Sequence, residues 1–124
     1  MMRILIADDM EYARANSMEL VKNTSPEAEI DAFSDGTHAW EAVKKKEYDL
    51  LFTDVRMSRM HGPELAEKVA EKHPHTEIFF VTGEGKAELE QLGIDLKRCI
   101  FKPYMIEDVK KCLKENKVFE FGSF

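Results

Sequence analysis

Five short apolar runs, separated by stretches of a different period, constrain this 124-residue chain more than any other feature. They are Arg3–Ala7 (RILIA), Ala28–Phe33 (AEIDAF), Asp49–Thr53 (DLLFT), Glu77–Thr82 (EIFFVT) and, more weakly, Arg98–Phe101 (RCIF). A strand wet on one face alternates apolar with polar residues, whereas a continuous apolar run is the pattern of a strand buried on both faces of a parallel sheet. Between the runs the period becomes helical. Ala13, Ser17, Leu20 and Val21 share one face, as do Ala39, Ala42 and Val43, then Leu65, Ala66 and Val69, and finally Ile106, Val109 and Leu113. Ser34 and Asp35 are capping candidates for the second helix, and Pro63 suits the first turn of the third. The fourth connection, Gly83 to Lys97, carries three glycines and has room for a short or frayed helix only. Strands alternating with helices predict a five-stranded parallel sheet, doubly wound with helices on both faces into a three-layer α/β sandwich with right-handed crossovers. The length suits a single domain with a core that needs no disulfide or metal staple, here residues 1–118 followed by a short tail, 119–124.

Several function classes are excluded early. With 44% apolar and 34% charged residues the composition is that of a soluble globular protein, and no apolar run approaches the ~20 residues of a membrane span. The start, MMRILIA, is too short for a signal peptide and is followed at once by acids, so a cytoplasmic protein is expected. A net charge of −6 opposes general affinity for nucleic acid, and the lysines of VKKKEY (Val43 to Tyr48) read as a solvated helix face. Cys99 and Cys112 lack CxxC or His spacing and read as two reduced core cysteines; His73 and His75 flank Pro74 with no third ligand and read as loop.

Ligands of doubly wound sheets bind at the carboxyl ends of the strands, near the point where strand order switches. Asp8 and Asp9 follow the first run, Asp54 the third, Thr82 closes the fourth, and Lys102 and Pro103 follow the fifth. Each has an ordinary reading alone: a helix cap or turn former, a strand threonine, a lysine at a sheet edge. Together they place three carboxylates, a hydroxyl and an ammonium at one edge. Carboxylates so close repel one another, and a hard divalent cation relieves that repulsion; Mg²⁺ fits because it needs few protein ligands and keeps its waters. A carboxylate there can then attack phosphorus while cation and lysine neutralise the phosphoryl oxygens.

On these residues the chain resembles the receiver domains of two-component response regulators, the CheY-like family. The resemblance runs from Arg3 to about Lys114 and rests on DD after the first strand, TDVRMSRMHG around the acceptor, T-G-E after the fourth and FKPY after the fifth. It implies that Asp54 accepts a phosphoryl group, with Mg²⁺, from a sensor histidine kinase or a histidine phosphotransfer protein. Asp9 and Asp54 are then direct metal ligands, Asp8 a ligand through water, Arg56 a ligand through its backbone carbonyl, and Lys102 and Thr82 contacts of the phosphoryl group. Such a domain catalyses only its own phosphorylation and dephosphorylation and switches the binding of a downstream target, without touching nucleic acid or membrane itself. Arg56 and Glu84, two residues past the acceptor and past the threonine, border the path of the hydrolytic water, and are expected to pair and to modulate phosphate lifetime.

The chain also departs from the family. Ser58 stands where a proline is usual, and the fourth connection is short. Cys99 occupies the position of the aromatic that turns inward on activation; the switch is therefore expected in Thr82 and the Gly83 to Gly85 loop, with Tyr104 the nearest aromatic. Three rivals are weighed: a receiver-fold interaction module working without phosphate, an Asp-nucleophile phosphohydrolase, and a flavin protein. Arg56 stands where such a hydrolase has its second Asp, and two acids stand where a flavin protein has a hydroxyl-rich phosphate loop. No output domain is expected in this chain, whether it stands alone or comes from a longer parent. The tail Lys117 to Phe124 is read as a docked end of the last helix, a linker stub or a partner contact.

Overall fold

The computed structural model describes residues 1–103 and 105–115; Tyr104 and residues 116–124, with the readings attached to them, the end of the 1–118 domain and the tail included, lie outside the described residues. The strands are β1 Arg3–Ala7, β2 Glu29–Phe33, β3 Leu50–Thr53, β4 Glu77–Thr82 and β5 Cys99–Phe101. The helices are α1 Glu11–Thr24, α2 Gly36–Lys45, α3 Gly62–Lys72, α4 Lys86–Gln91 and α5 Ile106–Glu115, with a 3-10 turn over Leu96–Arg98. All pairings are parallel and the order is β2-β1-β3-β4-β5, so the expected doubly wound sandwich is the fold.

The period-2 geometry of strands sorts the core into layers. Ile4, Ile6, Leu50 and Phe52 pack with Val21 of α1 and with Val109, Cys112 and Leu113 of α5. The intervening Leu5, Ala7 and Leu51 pack on the other face with Ala39 and Val43 of α2 and with Leu65 and Val69 of α3. Both faces of β1 and β3 are thus closed, which is why those runs carry no polar residue except at the ends. α4 has six residues and one buried side chain, Leu89, in a smaller cluster with Val55, Phe80 and Ile94. That matches the short fourth helix expected from its glycines.

Four expectations need correction. The second run is not buried on both faces: β2 is an edge strand, half-buried throughout, and its Glu29 and Asp31 pair with Lys46. Lys46 is accordingly not part of a solvated face, and Tyr48, which ends that stretch, is buried with its hydroxyl donating to Asp31 at 2.6 Å. The third and fifth strands start one residue late. Asp49 turns its carboxylate to accept from the Arg3 amide at 2.8 Å, and Arg98 closes the 3-10 turn capped by Asp95. Both cysteines are thiols, but only Cys112 lies in the core; Cys99 is half-buried. No helix of the described residues is long and apolar enough to cross a membrane.

Candidate functional site

Asp8, Asp54 and Lys102 each sit one step past their strand and Thr82 on the last residue of its own, with the backbone still tied into the sheet, while Asp9 and Pro103 follow one step further on. Asp8 donates its amide to Phe33 O at 3.1 Å, Asp54 to Ala7 O at 2.8 Å and Lys102 to Thr82 O at 2.8 Å. The sheet therefore fixes the main chain while the side chains leave its edge. One oxygen each of Asp8, Asp9 and Asp54 falls within 4.8 Å of the others. Asp8 and Asp54 are only 2% and 9% exposed, whereas Asp9 is exposed. The Lys102 ammonium lies 3.1 Å from both Asp8 Oδ2 and Asp54 Oδ2.

Every oxygen of the two buried acids is held. Asp8 Oδ1 accepts from the Met10 amide at 3.0 Å, and Asp54 Oδ1 from the Val55 amide at 2.8 Å. Burial pushes the Asp54 carboxyl above the usual carboxylate range and the charge of Asp8 adds to the rise, with Lys102 and the Val55 amide opposing it. For Lys102 burial works toward a lower value, but the bond to Asp8 and the charges of Asp54 and Asp8 outweigh it and the ammonium is held on. The site is thus a charge cluster with more negative than positive charge, partly dry. Its oxygen-only donor set, from carboxylates on two different turns, fits a hard divalent cation such as Mg²⁺.

Thr82 is fully buried and its Oγ1 accepts from the Glu84 amide at 2.9 Å. Arg56 and Glu84 do meet: Nε donates to Glu84 Oε1 at 2.8 Å, and the guanidinium also approaches Glu88 of α4 at 3.6 Å. Four expected residues, Asp8, Asp9, Asp54 and Lys102, thus meet directly, and Thr82, at the end of the strand between those of Asp54 and Lys102, is linked through Glu84 to Arg56.

Further residues shape the turns around the site, and of these only Asp35, as a cap of α2, was expected from the sequence. Gly62 opens α3, and an added Cβ would stand 2.0 Å from the carbonyl oxygen of Asp54. Gly36 is equally close to the β3–α3 turn, its Cβ position 2.1 Å from Met60 O. Asp35 caps α2 by accepting from the His38 amide and Nδ1, both at 2.8 Å, and lies 3.8 Å from Arg59. Arg59 has a φ of 69°, so the turn without proline at Ser58 bends through a left-handed residue. Arg14 of α1 donates to the Asp8 carbonyl at 2.9 Å. The only signal for Gly62 was HGP itself, whose proline explains a helix start without revealing what the glycine touches.

Comparisons with known proteins cover the same part of the chain. Residues 4–114 match the family described as the response regulator receiver domain. The sensory transduction protein LytT of Bacillus subtilis (strain 168) is 32% identical over 118 residues, 94% of this chain and 48% of LytT, so the chain spans about half that relative's length. The chemotaxis protein CheY-3 of Vibrio cholerae is 30% identical over 127 residues, covering 96% of this chain and 92% of CheY-3. Among solved structures, the response regulator TrrA of Thermotoga maritima, in complex with Mg(2+)-BeF, has a TM-score of 0.77 at 25% identity and covers 93% of this chain and 98% of its own.

Proposed function

Because the chain belongs to the response regulator receiver domain family, a signalling module of two-component systems whose general property is phosphorylation on an aspartate with Mg²⁺, we propose that Asp54 is the acceptor in this chain. The observation that carries the reading is the convergence of Asp8, Asp9 and Asp54 within 4.8 Å, with Lys102 at 3.1 Å from two of them. Asp8, Asp9, Asp54 and the backbone carbonyl of Arg56 would hold Mg²⁺, which when bound draws negative charge from the transferring phosphoryl group. Asp54 Oδ attacks phosphorus, the donor's bond to phosphorus breaks, and its electron pair leaves with the donor. Lys102 neutralises a phosphoryl oxygen. A hydroxyl carries a proton as well as lone pairs, so Thr82, while accepting from Glu84, still has that proton for the phosphoryl group.

The donor in this reading is a sensor histidine kinase or a histidine phosphotransfer protein acting in the cytoplasm, and the product binds a downstream protein target without nucleic acid contact by residues 1–118. The chain would catalyse only the gain and loss of its own phosphate. Phosphorylation would act on the target through Thr82 and the Gly83 to Gly85 loop, with Arg56 and Glu84 setting lifetime. Treatment with acetyl phosphate and Mg²⁺, read by mass spectrometry, should add one phosphoryl group to the wild type and none to Asp54→Asn. Wild-type uptake by Asp54→Asn would reassign the acceptor; a wild type that neither takes phosphate nor binds Mg²⁺ would favour an interaction module working without phosphate.

A further inference from the structure

The turn from β1 into α1 carries two acids that differ in how they are held. Asp8 is fixed at four points: its amide on Phe33 O, Oδ1 on the Met10 amide, Oδ2 on Lys102, and its carbonyl on Arg14 Nη1 at 2.9 Å. Asp9 is exposed, yet its carboxylate still reaches the same point as those of Asp8 and Asp54. Asp8 C=O and Asp9 N–H belong to one planar peptide, so pinning that oxygen sets the plane and with it the direction in which Asp9 leaves the chain. The Arg14 amide meanwhile donates to Met10 O at 2.9 Å, closing the first turn of the same helix. Arg14 thus spans the turn by main chain and side chain together.

Its placement is otherwise unfavourable. A cation in the first turns of a helix opposes the dipole, and Met10 at the N-cap offers no side-chain hydrogen bond to compensate. Among the described residues the guanidinium's hydrogen bond goes to the carbonyl between the two acids. We propose that Arg14 is a positioning residue for cation binding: by holding the Asp8 carbonyl it orients the Asp8–Asp9 peptide so that both carboxylates address one divalent ion beside Asp54. The inference rests on the Mg²⁺-dependent phosphoacceptance proposed above.

The test is calorimetric titration of the full chain with Mg²⁺ for wild type, Arg14→Met and Arg14→Lys, beside acetyl phosphate uptake at limiting and at saturating Mg²⁺. Met keeps the stem and has a helix propensity close to that of Arg, so α1 is little disturbed. Arg14→Met should weaken Mg²⁺ binding about tenfold, the scale of losing a partner that orients a metal ligand. Arg14→Lys should recover part of that loss. Uptake by Arg14→Met should be slow at limiting Mg²⁺ and return at saturation. An Arg14 that is structural only would lower the melting temperature in EDTA and leave the Mg²⁺ dissociation constant unchanged, which overturns the proposal. So does uptake that stays low in Arg14→Met at saturating Mg²⁺. If Arg14→Met does not fold, the affinities of Arg14→Lys and Arg14→Gln decide in its place. Failure of the wild type to bind Mg²⁺ at all is read in a separate arm and overturns the functional reading with it.

Discussion

Gly62→Ala is expected to damage the acceptor site although residue 62 carries no chemistry. A Cβ at that position would lie 2.0 Å from Asp54 O and 3.1 Å from Val55 Cα, both backbone atoms. Carbon and carbonyl oxygen approach to ~3.3 Å at closest even in weak hydrogen bonds, so more than about 1 Å must be opened. Neither side gives easily: Gly62 N donates to Val55 O at 2.8 Å, and Asp54 N donates to Ala7 O at 2.8 Å. Overpacking of this kind costs about 1–3 kcal/mol, and two backbones place it near 3. The helix propensity gained by replacing Gly is under ~1 kcal/mol and does not offset it. At roughly 4 °C per kcal/mol for a domain of this size, the melting temperature should fall by about 8–12 °C. A displacement of ~1 Å at a nucleophile costs on the order of a hundredfold in rate, so phosphate uptake should fall further than stability alone explains. Gly83→Ala and Gly85→Ala are the controls, since their Cβ positions meet nothing within 4 Å. The assay is a thermal melt with acetyl phosphate uptake on the same preparations. A Gly62→Ala protein that melts with the Gly83→Ala control and takes phosphate at the wild-type rate would refute the reasoning.

Asp54→Asn should match or exceed the wild type in stability at neutral pH without Mg²⁺. The folded state raises the Asp54 pKa, so between the unfolded and folded values it binds more protons than the unfolded chain, and stability falls as pH rises through that window. The advantage of Asn should close at acid pH; an advantage that grows on acidification contradicts the sign. Asp35 behaves oppositely. Burial alone would raise its pKa, but the His38 amide and ring and the Arg59 charge bring it below the usual value, so its stabilisation is present above the unfolded pKa and is lost as pH falls through the folded one. Asp35→Ala should cost about 1–2 kcal/mol at neutral pH as a lost N-cap, and denaturant melts should show the gap shrinking in acid. For phosphate lifetime, Arg56→Ala should speed loss several-fold, with Glu84→Ala adding little in that background. The pair is exposed and worth only ~0.2–1 kcal/mol in stability, but a barrier change of about 1.4 kcal/mol is tenfold in rate. Equal decay in wild type and Arg56→Ala would remove the shielding role.

The strand-end residues were legible because their signal is local: an apolar run names the strand, and the next residue is by geometry at its carboxyl end. The buried strands β1 and β3 announced themselves in the same way. What sequence hid was whatever depends on a neighbour from elsewhere in the chain. β2 looked like a core run because Ile30, Ala32 and Phe33 are apolar, and only the strand order makes it an edge whose acids meet Lys46. Lys46 in turn looked solvated because its partners lie 15 and 17 residues away. Gly62 and Arg14 belong to the same class, since a close approach or a reach to a carbonyl leaves no period and no motif.

A signal must leave the phosphorylated site through whatever is both tied to it and cheap to move. Cys99 is tied to the α4 side of the sheet, where it packs on the cluster of Val55, Phe80, Leu89 and Ile94 and donates to Asp95 O at 3.6 Å. It has no ring to turn, and burial, aided by Asp95, holds its thiol above the usual range, which lowers its thiolate fraction. α4 meets both conditions. Thr82 takes the Glu84 amide, Glu84 takes the Arg56 guanidinium, and Arg56 reaches Glu88 in the first turn of the helix. The helix itself has six residues, a single buried side chain, and two glycines before it whose surroundings are open. Few buried contacts mean a low local opening free energy. If Asp54 takes phosphate as proposed, a hydroxyl drawn toward the phosphoryl group would pull on a short helix with one buried side chain, and a turning ring at position 99 would not be needed for that pull to reach the surface.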